Sequence, residues 1–181
     1  MTLVEVMIAT GLGSMVLGAV SLFTMYGARS SVAVINYTDL DAKSRYALDV
    51  ISREMRQANA LIDSQPNLPV KYLTLTNIDQ SASIKITFDS SARTVTLEKT
   101  GQPTQTNLTE CESWGFNLYQ RTPWMTATNV LFYPATNNAG SVDSSLCKLI
   151  NLSWKCSRSI LGNKVNTESV QSAQIVLRNK Q

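Results

Sequence analysis

The chain has 181 residues, of which 16% are charged and none is histidine, and its formal net charge at pH 7 is +3. Without histidine, a Ser-His or Cys-His catalytic pair and a zinc site built on imidazole are excluded. The small net charge gives no support to a specific nucleic-acid interface. We therefore expect no catalytic residue, no metal site and no cofactor.

The amino end is dominated by an apolar run. No charged residue occurs from Val6 to Ala28, a stretch of 23 residues, and Glu5 lies at its edge. A helix over this run would be about 35 Å long, enough to cross a bilayer core of about 30 Å. A secretory signal peptide would begin with basic residues, which are absent before the run. Residues 1–28 are therefore predicted to form a helix that is retained and lies in a membrane or in the core of an assembly.

Small residues interrupt the apolar run at four positions that we expect to permit close packing of neighbouring helices. They are Gly11, Gly13, Ser14 and Gly18.

The next segment, 29–62, is predicted to be the amphipathic half of the same helix. Apolar or small residues recur every three to four positions, a spacing typical of one buried helix face. These residues are Leu40, Ser44, Ala47, Leu48, Ile51, Met55, Ala58 and Ile62. Pro66 and Pro69 then break the pattern, so the helix is expected to end near residue 62.

Residues 63–181 change to a period of two, which is typical of half-buried strands. Strands are predicted at 71–76, 114–119, 129–134, 148–156 and 170–178, with a hairpin over 83–99 and a polar loop over 101–109. The aromatic core is expected to contain Trp114, Trp124, Phe132 and Trp154. The predicted fold class is therefore α+β, with a long amino-terminal helix packed on an antiparallel sheet domain.

The three cysteines are Cys111, Cys147 and Cys156. In an exported protein we expect one disulfide and one remaining thiol. A straight strand over 148–155 would hold Cys147 and Cys156 more than about 20 Å apart, too far for a disulfide, so Cys111 would pair with one of them. If that segment folds back instead, Cys147 and Cys156 can pair.

The first residues, Met1-Thr2-Leu3-Val4-Glu5, followed by a long apolar helix, resemble the start of a mature type IV pilin or type II secretion pseudopilin. Segments 46–58 and 173–179 are similar to those of PilW-like pilins and J-type pseudopilins. The sequence departs from the family at Leu22, where many pilins carry a helix-breaking proline. Numbering is expected to begin at the mature residue.

This resemblance implies a structural subunit of an extracellular type IV pilus-type filament, alone or mixed with other pilins. It implies that a prepilin peptidase/methyltransferase leaves an N-methylated amine on Met1, and that Glu5 of one subunit pairs with this amine on its neighbour. Before assembly the subunit would be a single-pass protein of the bacterial inner membrane. The family includes major and minor pilins and secretion pseudopilins, which the resemblance does not separate.

The sequence also fits an alternative role for Glu5 and an alternative function for the whole chain. Glu5 at a helix amino end also interacts favourably with the helix dipole, by about 0.3–1 kcal/mol, without any partner subunit. The whole chain could instead be a single-span membrane-anchored protein with an exported binding domain.

Overall fold

A single unbroken helix, α1, forms the amino-terminal part of the protein. The computed structural model describes residues 2–67, 69–76, 82–121, 132–135, 143–159 and 167–177. Helix α1 is Leu3–Gln57, 55 residues or about 80 Å long. The β-branched residues Val32, Val34 and Ile35 do not interrupt it. The protein thus has the predicted α+β fold, with a long helix packed on antiparallel sheets.

The helix ends five residues before the predicted position, so the boundary at 62/63 is wrong. Ala58 leaves the helix with extended backbone angles (φ −73°, ψ 145°), and the N–H of Asn59 donates to the carbonyl of Thr76 at 2.7 Å. Leu61 is 3% exposed and its neighbour Ile62 is 54% exposed, which is the alternation of a strand. Pairing with a distant strand therefore ends the helix before the prolines are reached.

Five strands then form the first antiparallel sheet, in the order β1-β2-β3-β4-β5. They are β1 (Ala60–Gln65), β2 (Val70–Thr76), β3 (Ser83–Asp89), β4 (Thr94–Lys99) and β5 (Gln105–Leu108). The hairpin predicted over 83–99 is confirmed as β3 and β4. The loop predicted over 101–109 is wrong in part, because β5 pairs with the free edge of β4 and buries Leu108.

A second antiparallel sheet has the strand order β7-β6-β8-β9. Its strands are β6 (Cys111–Arg121), β7 (Phe132–Pro134), β8 (Leu149–Ser157) and β9 (Glu168–Val176), with a short 3-10 turn at Ser144–Leu146 before β8. The strands predicted at 114–119, 148–156 and 170–178 correspond to β6, β8 and β9. Of the strand predicted at 129–134, only 132–134 lies within the described residues.

The core lies between the second half of α1 and the two sheets. The helix contacts β9, β5 and β8. Its buried residues are Leu40, Ser44, Ala47, Ile51, Ser52 and Met55. Trp114 packs with Phe88 and Phe116, with ring centroids 6.3 Å and 5.1 Å apart, and Trp154 is also buried, as predicted. Trp124 and the side chain of Phe132 lie outside the described residues.

The two halves of α1 should respond differently to the same truncation. Ile51 is fully buried, and Ile51→Ala should lower the free energy of unfolding by about 2–4 kcal/mol because it leaves a cavity. Ile35 is 66% exposed, and the control Ile35→Ala should change the free energy of unfolding by less than about 0.5 kcal/mol. Denaturant unfolding of the detergent-solubilised chain checks this. Equal effects of the two substitutions would contradict the placement of the buried face.

Candidate functional site

The helix amino end is closed by a capping box made of Thr2 and Glu5. The backbone N–H of Thr2 donates to Glu5 Oε2 at 2.8 Å, and the N–H of Glu5 donates to Thr2 Oγ1 at 3.4 Å. Each side chain thus satisfies a backbone donor that the helix itself leaves unpaired. The sequence Thr-x-x-Glu signals such a box, a local role of Glu5 in addition to its predicted dipole interaction and charge pairing. Met1 lies outside the described residues, and so does its predicted pairing with Glu5.

The first half of α1 is exposed all round. Every residue from 2 to 32 is exposed, including Leu3 at 79% and Phe23 at 80%. Soluble monomers rarely expose contiguous apolar surface beyond a few hundred Å². This half of the helix therefore needs an apolar partner that the described part of the chain does not supply.

The serine and threonine hydroxyls within the apolar run are paired inside the helix. Thr10 donates to the carbonyl of Val6 at 2.9 Å, and Ser14, Ser21 and Thr24 each donate to a carbonyl three or four residues earlier, at 2.8–3.1 Å. Burying a hydroxyl in an apolar environment is costly only when it lacks a hydrogen bond. These four residues are therefore compatible with a surrounding of lipid or of other helices.

The predicted packing residues divide between two sides of the helix. Gly11, Ser14 and Gly18 share one face because they are spaced i, i+3 and i+7, and Ser21 extends that face. Gly13 is five residues before Gly18 and lies roughly 140° around the helix from it. A Cβ atom added to any of these glycines would meet nothing within 4 Å, so the face is open. The opposite side carries the large side chains of Leu12, Val16 and Phe23.

By length and composition, α1 could cross a membrane. It contains an 18-residue stretch with a mean hydropathy of 2.0, near the amino terminus, and none of that stretch is buried. Core helices of soluble proteins and signal sequences can meet the same criteria of length and hydropathy. The complete exposure distinguishes this helix from a core helix.

Arg158 joins the helix to the sheets where α1 leaves the domain. Its guanidinium donates to both carboxylate oxygens of Glu110 at 2.7–2.9 Å, to Asp39 Oδ2 at 3.0 Å and to Asn36 Oδ1 at 3.2 Å. The hydrogen bonds to Glu110, and then those to Asp39, raise the pKa of Arg158. Lys43, followed by Arg158, lowers the pKa of Asp39. No local pattern identifies this role of Arg158, because its partners Asn36, Asp39 and Glu110 are far away in the chain.

Further polar contacts continue along the packed half of the helix. Ser44 is fully buried, and its hydroxyl accepts a hydrogen bond from the indole N–H of Trp154 at 2.8 Å. Asp41 Oδ1 accepts from Ser169 and Gln171, each at 3.0 Å. Together with Arg158 they fix the rotation of the helix on the second sheet.

At the far end of the packed half, an ion pair connects the helix to the first sheet. Glu54 lies 2.6 Å from Lys99 of β4, and both side chains are less than 30% exposed. The helix is thus fastened to both sheets.

The three cysteines are all buried, and none of them forms a disulfide in this structure. Cys111 and Cys156 lie directly opposite each other in the β6–β8 pairing, whereas Cys147 lies just before β8. The straight strand predicted between Cys147 and Cys156 is confirmed as β8.

An apolar cleft of about 240 Å³ lies where β1, β6 and β7 approach one another. It is lined by Ser64, Pro66, Phe116, Asn117, Leu118, Tyr119, Pro134 and Ala135. No carboxylate, amine, guanidinium or thiol occurs among these described lining residues. The cleft therefore offers apolar contact rather than acid–base chemistry. Within the described ranges, no three His, Cys, Asp or Glu side chains cluster in a way that could hold a metal ion.

No protein-family model matches the chain, and no curated protein or solved structure is significantly similar to it. The site is therefore interpreted from its own geometry.

The Arg158 cluster gives a testable contribution to stability. Replacing Arg158 with Gln should lower the free energy of unfolding by about 1–3 kcal/mol, because charge-assisted hydrogen bonds to two carboxylates are lost. Amide hydrogen exchange should accelerate around residues 36–41 of the helix. The control Arg53→Gln changes an exposed arginine and should alter neither measurement. Unchanged exchange at 36–41 in Arg158→Gln would contradict the fastening role.

The same cluster predicts a dependence on pH. Because the folded pKa of Asp39 lies below its ordinary value of 3.8, its stabilising effect is complete above that value and is lost as the pH falls through the lowered pKa. The stability advantage of wild type over Arg158→Gln should therefore shrink as the pH falls below about 4. Urea unfolding at a series of pH values measures this difference.

Proposed function

We propose that this chain is a structural subunit of an extracellular type IV pilus-type filament, with no catalytic activity of its own. Before assembly, α1 holds it in the bacterial inner membrane as a single-pass protein. In the filament, the exposed half of α1 packs against equivalent helices of other copies or of other pilins. A prepilin peptidase/methyltransferase processes its amino end.

The observation that carries the proposal is the continuity of α1. One helix has a half that is fastened to two sheets and a half, residues 3–32, that no other part of the described chain covers. Fully burying a Val, Leu, Ile, Phe or Met side chain is worth about 1.5–3 kcal/mol, so leaving this surface in water is strongly unfavourable. A bilayer covers it before assembly, and a bundle of equivalent helices covers it afterwards.

The side chains of the exposed half suit both surroundings. The hydroxyls of Thr10, Ser14, Ser21 and Thr24 are already paired with helix carbonyls, so they need no water. Gly11, Ser14 and Gly18 have small side chains or none on one face of the helix. Such a face allows the backbone of another helix to approach closely in apolar surroundings. These features favour packing against helices over contact with lipid alone.

Glu5 supports the proposal through its remaining charge. Among the described residues, the carboxylate receives only the neutral N–H of Thr2, and no ion pair with Glu5 occurs there. In an apolar core an unpaired charge costs several kcal/mol, which favours a cation beside it. Resemblance to the pilins assigns that cation to the amine of Met1 on a neighbouring subunit.

A second candidate function is a single-span membrane-anchored protein with an exported binding domain. The apolar cleft between β1, β6 and β7 is the observation that favours it. Both functions place α1 in a membrane, but only the first requires the charge of Glu5 for assembly.

Replacing Glu5 with Gln separates the charge from the helix cap. Gln can keep the capping box, so α1, membrane retention and the protease resistance of the sheet domain should be unchanged. Sheared surface filaments should be lost, because the amine of Met1 would be left as an unpaired charge in the core, a loss of roughly 3–5 kcal/mol. Immunoblots of membrane and sheared fractions, with the variant as the sole copy, measure this.

The matched control is Thr2→Val, which removes the capping hydroxyl and keeps the charge. Losing a cap costs about 0.5–2 kcal/mol at the helix end, and a 55-residue helix should tolerate it. Thr2→Val should therefore still form filaments. Filaments built from Glu5→Gln alone would overturn the charge pairing. Loss of filaments in Thr2→Val would show that assembly depends on the cap as well as on the charge.

The amino terminus gives an independent check. We expect the α-amine of Met1 in the mature protein to carry one methyl group. Intact-mass spectrometry and amino-terminal peptide sequencing of membrane-purified protein measure this. A formylated or acetylated Met1 would contradict processing by the prepilin pathway and favour the second candidate function.

A further inference from the structure

The register of the second sheet brings two of the three cysteines together. Cys111 begins β6 and is the direct partner of Cys156 in β8. The N–H of Cys111 donates to the carbonyl of Arg93 at 2.9 Å, and the N–H of Ser157 donates to the carbonyl of Glu110 at 3.0 Å. Cys111 and Cys156 therefore form a non-hydrogen-bonded pair, for which Cα atoms are typically about 4.5 Å apart. That separation lies within the range a disulfide requires.

The two side chains also lie next to each other on the same face of the sheet, because they are directly opposite in the register. Both side chains are fully buried in the same core. The thiol of Cys111 donates to the carbonyl of Ser113 at 3.3 Å. The neighbouring thiol of Cys156 raises the pKa of Cys111, and Cys111 in turn lowers the pKa of Cys156.

Cys147 is held at the opposite end of the same pair of strands. The residue after it, Lys148, donates its N–H to the carbonyl of Tyr119 at 2.8 Å, near the far end of β6. The thiol of Cys147 contacts the carbonyl of Leu149 at 3.6 Å. The length of β8 thus separates Cys147 from Cys111 and Cys156, by more than about 20 Å.

We propose that Cys111 and Cys156 are the site of a disulfide in the exported protein and that Cys147 remains a thiol. The oxidant is a disulfide, either of a dithiol oxidoreductase or of a small molecule such as glutathione disulfide. The thiolate of one cysteine attacks that disulfide, and the second cysteine then displaces the mixed disulfide. One Sγ–Sγ bond forms, the disulfide of the oxidant is cleaved, and its two sulfurs leave as thiols with the two protons. Because both cysteines become fully buried, the exchange occurs while β6 and β8 are closing.

The position of this bond links it to the attachment of the helix. Ser44 of α1 helps to lower the pKa of the Cys156 thiol. Its hydroxyl also accepts the indole N–H of Trp154. A disulfide would tie β8 to β6 directly beneath this contact. It would therefore restrain the strand that holds the helix, whether or not the chain enters a filament.

Peptide mapping of the wild-type chain tests the pairing. The full chain is exported to an oxidising compartment, purified in detergent, denatured with an alkylating agent without reductant and digested with trypsin. Cleavage after lysine and arginine places the cysteines in three different peptides, 100–121, 122–148 and 156–158. We expect 100–121 joined to 156–158 and a single alkyl group on Cys147. A bond to Cys147, or alkylation of all three cysteines, would overturn the proposal.

Variants distinguish a disulfide from a pair of buried thiols. Cys156→Ala should lower the melting temperature of the oxidised protein by about 5–10 °C more than the control Cys147→Ala. Each protein is then reduced in denaturant and refolded with reductant, and its melting temperature is compared with that of the oxidised form. The melting temperature of wild type and of Cys147→Ala should fall, whereas that of Cys156→Ala should stay unchanged. If reduction leaves wild type unchanged, the disulfide is absent. If Cys156→Ala fails to fold, the wild-type peptide map still decides the pairing.

Discussion

The hydrogen bond from the indole of Trp154 to the hydroxyl of Ser44 is the contact on which the arrangement of the molecule depends. Both groups are almost completely buried, so neither could be left unpaired without a large penalty. Sliding the helix by one residue would rotate Ser44 by about 100° and break the bond. Two aspartates nearer the solvent hold the helix in the same position on the sheet. Asp41 accepts a hydrogen bond from Ser169, and Asp39 accepts one from Arg158. One buried pair and its neighbours thus set the rotation and height of α1.

A fixed register has a consequence for the exposed half of the helix. Because α1 is continuous and its second half is fastened to both sheets, the face that carries Gly11, Ser14 and Gly18 has a defined direction relative to the sheets. If copies associate through that face, their sheet domains must take up repeating positions. The attachment of the helix would therefore determine the outer surface of the proposed filament as well as the stability of one subunit.

Serine and threonine have two different roles along the same helix. In the exposed half, Thr10 and Ser21 donate to carbonyls of their own helix, which makes them acceptable in apolar surroundings. In the packed half, Ser44 instead accepts a hydrogen bond from a sheet residue and provides specificity. Residue type alone therefore does not show how a hydroxyl is used, because the surroundings of each turn decide it.

The sequence by itself determined the features that depend on neighbouring residues. The apolar run, the helical period from Leu40 to Met55 and the hairpin over 83–99 follow from local patterns, and the capping box of Thr2 and Glu5 could have been read in the same way. Only the tertiary structure decided the end of α1 at Gln57, the division into two sheets, and the strand register that places Cys111 opposite Cys156. Helix hydrogen bonds join residues four apart, whereas strand hydrogen bonds join residues tens of positions apart, and no local pattern specifies that partner.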